Sequence, residues 1–519
     1  MKIDISVIMT VHKEGRLVHR SINSFKNAME FTGLNTEFII VVDRPSDETK
    51  KYFQNYRLAY NEIIDYVEYG DLGPSRNHGV NLASGKYVAF VDADDLVSIN
   101  WFKDAFEKSQ MDDSGYFIYH PEYLLFFGDM FDDSRQVSVR KLIDSSDPKY
   151  SDYDLIEHNL WSSLCFTSKE LMLKVPYRKA KPGFGFEDWD FNLDSIVYGA
   201  KHKIVEGAVH FTRLKKSGSL DSEKQGKNST LSPSRLFENK DFKPVLPKPN
   251  YNWIRLKSYI NLMQLFLTDN FIWLYRIIMA FKLEILDPVL IKQKLDYVPK
   301  LPNWLIEQWE EIHMLEPELY PHDSNIIFNK LNSTVIINEY FHFQSNHALD
   351  NSITILTEFK NINYCLKYTD SLSDNINVII TDFNLNSKIY ESGNFSHILN
   401  IDFKKKNINL IYFADTYCYL DPKHMELLLL RLLLQSPPAS IINFNSKLAY
   451  SLLRKYRQAL SLNSSLRIVY FNDDSVNATE LVNISDCLDK ISKYICLDKV
   501  SRDNLIRMFG FNDSLIEIV

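Results

Sequence analysis

Residues 87–95 read YVAFVDADD, an apolar run of strand character that ends in three aspartates around one alanine. A buried strand usually ends in Gly, Pro, Asn or Ser, and aspartates crowded together repel one another and resist desolvation. Packing gives no reason for such an ending, whereas a bound cation does. Side chains two apart in extended backbone point the same way. Asp92 and Asp94 are therefore expected to converge on one point, with Asp95 facing elsewhere as a structural end to the strand. Two converging carboxylates suit a hard divalent ion, Mg²⁺ or Mn²⁺, that completes its shell with phosphate oxygens and water.

Working outward from this strand, IDISVIMTV (3–11), EFIIVVD (37–43) and IIDYVE (63–68) read as further strands. Helical patterns lie between them at 15–30, from about Thr49, and at 75–84. Strands alternating with helices predict an α/β chain with a parallel, doubly wound sheet. Such sheets bind ligands at the carboxyl ends of their strands, where Asp43 and Asp92 both fall. Residues 110–150 read as irregular, and 216–250 as a polar arm. Residues 251–329 read as helical and aromatic. From about 333 short runs such as STVIINEYF, NVIITDF, INLIYFAD, SIINFN, LRIVYFND and YICLD predict a second α/β domain. The expected division is 1–235, a linker over 236–330, and 331–519.

The chain has 519 residues, 45% of them hydrophobic, enough for two or three packed cores. Its net charge of −8 gives no global reason to bind nucleic acid. Five scattered cysteines without a CxxC pair read as reduced core thiols. No uninterrupted apolar stretch reaches the length of a membrane span, and the N-terminus enters a strand at once. A cytoplasmic protein is expected. Residues 254–285, apolar and aromatic with interspersed Lys and Arg, read first as helices packed between domains. The second reading is peripheral contact with the inner face of the plasma membrane.

Four blocks, SVIMTVHKEG, VVDRPSDET, GPSRNHGVNLASGKYVAFVDADD and GFEDWDF, stand in this order over residues 3–220. In this the chain resembles family-2 glycosyltransferases of the GT-A fold. The resemblance implies transfer of a sugar from a nucleoside-diphosphate donor, UDP by default, to a saccharide or lipid-linked acceptor. It implies that the first strand end (Thr10, His12, Glu14) and Asp43 cradle the nucleotide and that Arg76 faces it. Asp92 and Asp94 would hold ribose and metal, with His210 completing the metal shell. Thr10-Val11-His12-Lys13 stands where that family usually has Pro-x-Tyr-Asn. By resemblance Asp188 is the catalytic base and Glu187 its neighbour, with Trp161 on the acceptor side; Trp189 reads either as core or as a sugar-stacking platform for the acceptor.

The chemistry of the residues agrees. A departing diphosphate needs cationic stabilisation, and HFTRLKKSGSL (210–220) offers Arg213, Lys215 and Lys216. An acceptor hydroxyl needs a base, and the aromatic loop GFGFEDWDF supplies a carboxylate whose pKa burial would raise. One base without a second nucleophile predicts inversion. The chain has no QxxRW motif, so addition of one or a few sugars is expected, in the setting of bacterial surface polysaccharide synthesis. Two other classes stay open: a nucleotidyltransferase, and a non-catalytic glycan-binding scaffold. Residues 333–519 resemble the N-terminal lobe of a GT-B glycosyltransferase. This implies either one part of a two-enzyme fusion or a lobe kept for acceptor binding or assembly.

Overall fold

The computed structural model describes residues 2–59, 61–112, 115–128, 136–215, 229–238, 301–319, 325–328, 334–372, 375–382, 408–417, 420–470 and 489–519. They fall into two compact units. The first comprises Met1–Gly226, Ser234–Phe237 and Ile285–Thr334, and the second comprises Lys227–Pro233, Glu238–Glu284 and Val335–Val519.

The first unit is built on β1 (Ile5–Val11), β2 (Thr36–Asp43), β3 (Glu62–Val67) and β4 (Tyr87–Asp92). β1 and β2 are buried along their whole length, as expected for parallel strands covered on both faces. Helix α1 (Val18–Phe31) lays Val18, Ile22, Phe25 and Met29 against one face at three- and four-residue spacing. Helix α2 (Asp47–Gln54) starts at Ser46, whose hydroxyl accepts from the Thr49 amide. Helix α3 (Leu72–Leu82) starts at Asp71, which accepts from the Gly73 amide in the same way. α3 lies so close on β1 that a Cβ at Gly79 would stand 2.3 Å from Ile8 Cγ2. Only glycine fits there.

The sheet is mixed, not wholly parallel. β1 pairs in parallel with β2 and β4, and β2 with β3. The stretch 110–150, read from sequence as irregular, instead contains β6 (Phe117–Phe127) and β7 (Gln136–Lys141), after the short β5 (Leu96–Val97) and helix α4 (Trp101–Met111). Together with β8 (Cys165–Ser168) and β9 (Lys201–Arg213) they extend the sheet: β8 joins β4 and β6 antiparallel, and β9 runs parallel to β6. Tyrosines, phenylalanines and a proline fill β6, so its strand character comes from aromatic packing and not from a clean Val/Ile run. Helices α5 (Lys169–Lys174) and α6 (Glu187–Val197) lie between β8 and β9.

Residues 236–330 are not a linker throughout. Helix α7 (Asn303–Leu315) and strand β10 (Asn325–Phe328) belong to the first unit. β10 pairs with β7, and Leu305, Trp309 and Ile312 pack with Val137, Val139, Val209 and Phe211. The membrane-surface reading of 254–285 lies outside the described residues.

The second unit holds a seven-stranded sheet in the order β13-β12-β11-β14-β15-β16-β17, parallel throughout. Its strands are β11 (Ile353–Thr357), β12 (Ile376–Ile380), β13 (Ile408–Ile411), β14 (Ser440–Phe444), β15 (Ser465–Tyr470), β16 (Lys493–Cys496) and β17 (Ile516–Ile518). The order reverses between β11 and β14, as in a doubly wound fold. STVIINEYF is not a strand: Ile337–Asn346 is helical and buries Tyr340, Phe341 and Phe343. Its β-branched residues resemble strand composition, but burial follows the helical period.

Candidate active site

Parallel pairing brings the carboxyl ends of β1, β2 and β4 side by side, with Thr10 opposite Asp92 and Val11 opposite Val42. A cavity of about 320 Å³ opens at that edge. Thr10, His12, Glu14, Asp43, Asp92 and Asp94 line it from one side, Glu187 and Asp188 from the start of α6, and Arg213 and Lys215 from the end of β9. Residues up to 205 positions apart in sequence thus meet in one space. Among the described residues the buried Thr10 hydroxyl has no hydrogen-bond partner.

Asp43 is 1% exposed and accepts from the Gly70 amide at 2.7 Å, the Asp71 amide at 3.1 Å and the Ser75 hydroxyl at 2.8 Å. Its carbonyl is 2.6 Å from His12 Nδ1. This aspartate therefore shapes the wall of the cavity by fixing the turn into α3. Arg76, also 1% exposed, donates to Asp92 Oδ1 and Glu187 Oε1, each at 2.8 Å, and lies over the Tyr177 ring. One guanidinium joins the β4 end to the α6 start. It sits behind the cavity, since its partners and not itself form the lining.

Four of the carboxylates here differ from their usual proton affinity. Burial pushes Asp92 up, but the Arg76 guanidinium and the Ser163 hydroxyl (2.6 Å) outweigh it and hold Asp92 below its usual range. Burial, then the charge of Asp95, push Asp94 up to about 6 against Lys215, whose Nζ is 2.7 Å away. Glu14 is raised by burial and then by Asp94. Burial, then Glu187, raise Asp188 to about 7 despite the pull of Arg76.

Asp188 occupies the first turn of α6 and accepts from Asn159 Nδ2 at 2.8 Å. Asn159 is fixed in turn by the Asn192 amide at 3.1 Å. Just before the carboxylates, Phe186 adopts left-handed backbone (φ 66°, ψ 56°), a conformation costly for an aromatic residue. The strain is placed where the chain must turn sharply into the acidic start of the helix.

Several expectations change. β4 ends at Asp92 and a turn follows, so side-chain alternation does not extend to Asp94. Asp92 turns to Arg76 and Ser163, Asp94 to Lys215. His210 is not free for a metal: it is 1% exposed and its Nε2 lies 2.8 Å from Asp95 Oδ2, while Asp95 also accepts from the Arg213 amide. Arg213 is held by Glu316 and Glu318 instead of offering its guanidinium to the cavity. Trp161 is no acceptor platform. It is 2% exposed, stacked 3.7 Å from the His202 ring, and its indole N–H donates to the Ile143 carbonyl. Trp189 is half-buried and donates to the Leu155 carbonyl. Lys216 lies outside the described residues.

A divalent cation fits the residues present. Glu14 and Asp94 hold their protons more tightly than usual, first through burial and then through neighbouring carboxylates, and added positive charge favours their ionised forms. Among the described residues no three His, Cys, Asp or Glu form a metal-holding group by themselves. Mg²⁺-type ions commonly take one or two carboxylates and complete the shell with water and phosphate. Asp94, with Asp92 near it, would hold such an ion. Asn159 and Ser163, the partners of Asp188 and Asp92, carry no sequence signal, because only the fold brings their loop to the cavity.

Comparison with known proteins bears on the same segment. An uncharacterized glycosyltransferase of Methanocaldococcus jannaschii is 35% identical over 96 residues, covering 18% of this chain and 32% of that protein. The minor teichoic acid biosynthesis protein GgaB of Bacillus subtilis is 32% identical over 104 residues, 20% of this chain and 11% of its own length. The poly(ribitol-phosphate) beta-N-acetylglucosaminyltransferase TarS of Staphylococcus aureus is 29% identical over 102 residues, 19% of this chain and 18% of its own. The chain thus spans a third or less of the length of these relatives. A crystal structure of TarS residues 1–349 with UDP-GlcNAc aligns at a TM-score of 0.34 and 14% identity, over 66% of this chain and 87% of that one, too low to carry an argument. Residues 6–136 match the family model described as glycosyl transferase family 2.

Proposed function

We propose that the first unit is a metal-dependent, inverting glycosyltransferase that moves a sugar from a nucleoside-diphosphate donor, UDP first, to a hydroxyl of a saccharide or lipid-linked acceptor. The observation that carries this reading is Asp188, raised to about 7, on the same 320 Å³ cavity as Asp43, Asp92 and Asp94. A carboxylate with that pKa suits proton removal near neutral pH.

Asp188 takes the proton of the acceptor hydroxyl as its oxygen bonds to the anomeric carbon. The bond from that carbon to the donor's diphosphate breaks, and the nucleoside diphosphate leaves with the electron pair. One displacement inverts the anomeric configuration. Lys215 would meet the charge on the leaving group, and the wall that Asp43 fixes, with the Thr10 hydroxyl, would face the nucleoside. A divalent ion held by Asp94 would supply Lewis-acid stabilisation of the diphosphate. Relatives named for teichoic acid biosynthesis and poly(ribitol-phosphate) glycosylation support surface polysaccharide as the setting, with one or a few sugars added at a time.

Asp188→Asn keeps the Asn159 contact in shape but removes the base. We expect transfer to fall by about 10²–10⁴-fold, measured as nucleoside diphosphate released with a saccharide acceptor, while nucleotide binding stays. Full activity in Asp188→Asn would remove Asp188 from the mechanism.

A further inference from the structure

Glu316 is wholly buried and lies more than a hundred residues beyond the strands of the cavity. Its carboxylate takes Arg20 of α1 on one side and Arg213 at the end of β9 on the other. The Glu318 amide donates to Glu316 Oε1 at 3.1 Å, and the Glu318 carboxylate takes the second arm of Arg213. Arg213 lies over the Phe127 ring, 4.7 Å from its centre. It also reaches the acidic turn twice: its amide donates to Asp95 Oδ1 at 2.9 Å, and its Nε to the Asp94 carbonyl at 3.3 Å. Contacts therefore run unbroken from α1 through Glu316 and Arg213 to the turn that presents Asp94. All of them lie in the first unit.

A buried carboxylate between two guanidiniums is a poor choice for stability alone, since its desolvation offsets much of the attraction. What it does supply is geometry. The planar fork of Arg213, engaged by two carboxylates, cannot rotate without breaking both pairs. Its backbone and Nε then hold the turn at Asp94 and Asp95 in one place. Residues 301–319 lie outside the family-matched segment 6–136, yet they fix part of the cavity wall.

We propose that Glu316, with Glu318, is a positioning residue of the donor site. Through Arg213 it sets the turn that presents Asp94, so that the chain after α7 completes a site which the family-matched segment only begins. The inference rests on the reading of the cavity as a nucleotide-sugar site. A merely structural Glu316 would alter melting temperature and leave metal-dependent affinity alone. A positioning residue alters that affinity in the folded protein.

The test is calorimetric binding of UDP, with and without Mn²⁺, to the full chain as wild type, Glu316→Gln and Glu318→Gln, with melting followed by circular dichroism. Wild type should bind UDP more tightly with Mn²⁺. In Glu316→Gln the Mn²⁺-dependent affinity should fall by about tenfold or more, as when a partner of a metal ligand is lost. Glu318→Gln, altered at a half-exposed side chain, should shift the same way by a smaller factor. Folded Glu316→Gln with wild-type affinity overturns the inference. If Glu316→Gln does not fold, wild-type affinity in folded Glu318→Gln overturns it equally. A wild type that binds no UDP with any metal overturns the reading of the cavity, and this inference with it.

Discussion

Asp188 is half-buried on the cavity wall and has to give up a proton near neutral pH. Burial and the neighbouring Glu187 raise its pKa to about 7, and Arg76 keeps it from rising further. The catalytic form is the ionised one, so activity should be lost as pH falls. We expect kcat/KM to rise tenfold per pH unit up to about 7 and then level off, because this parameter reports the free enzyme. Removing the Asn159 amide withdraws a hydrogen bond that favours the charged form, so Asn159→Ala should move that limb to higher pH. An acid limb near 4, or one that does not move in Asn159→Ala, would mean that another group titrates. That the carboxylates of GFGFEDWDF stand on the cavity was legible in the sequence, because the resemblance pointed to this loop. Asn159 was not legible, because a lone asparagine has no pattern.

At the scale of elements, the strands whose both faces are covered could be read directly: β1, β2 and β4 are largely apolar (ISVIMTV, TEFIIVVD and YVAFVD), and a one-residue error would not hide them. β6 and β7 were missed because aromatic and polar residues alternate there without a clean period. For Asp92 and Asp94 the expected strand alternation changes for a related reason, although both line the cavity. Alternation is a property of extended backbone, and β4 stops at the first of them. Helix α7 was read as helix but not as part of the first unit, since periodicity reveals a buried face and not what it packs on. The structure places Trp309, with no exposed surface, among β7 and β9 side chains. Trp309→Ala should therefore cost about 3–5 kcal/mol, read as a lower denaturation midpoint at unchanged slope. A linker tryptophan would cost almost nothing.

At the scale of the molecule, the two sheets follow from composition and alternation, which indicated two α/β units before any contact was known. How the first unit is completed did not follow, because β10 and α7 return to it from across the long stretch after β9. In a chain of net charge −8, Lys215 stands on the crowded acidic edge, while Arg76 and Arg213 are held by carboxylates behind and beside it. That edge is the centre of the account, and it makes one demand. The measurement is calorimetric titration of UDP, GDP, dTDP and CMP, each with Mn²⁺ and with EDTA, into wild type and Asp94→Asn. The account predicts that one nucleoside diphosphate binds with Mn²⁺, that EDTA weakens it, and that Asp94→Asn loses the metal-dependent part. Binding that is equally tight with EDTA and in Asp94→Asn would contradict the metal role, and no binding of any nucleotide would contradict the glycosyltransferase reading itself.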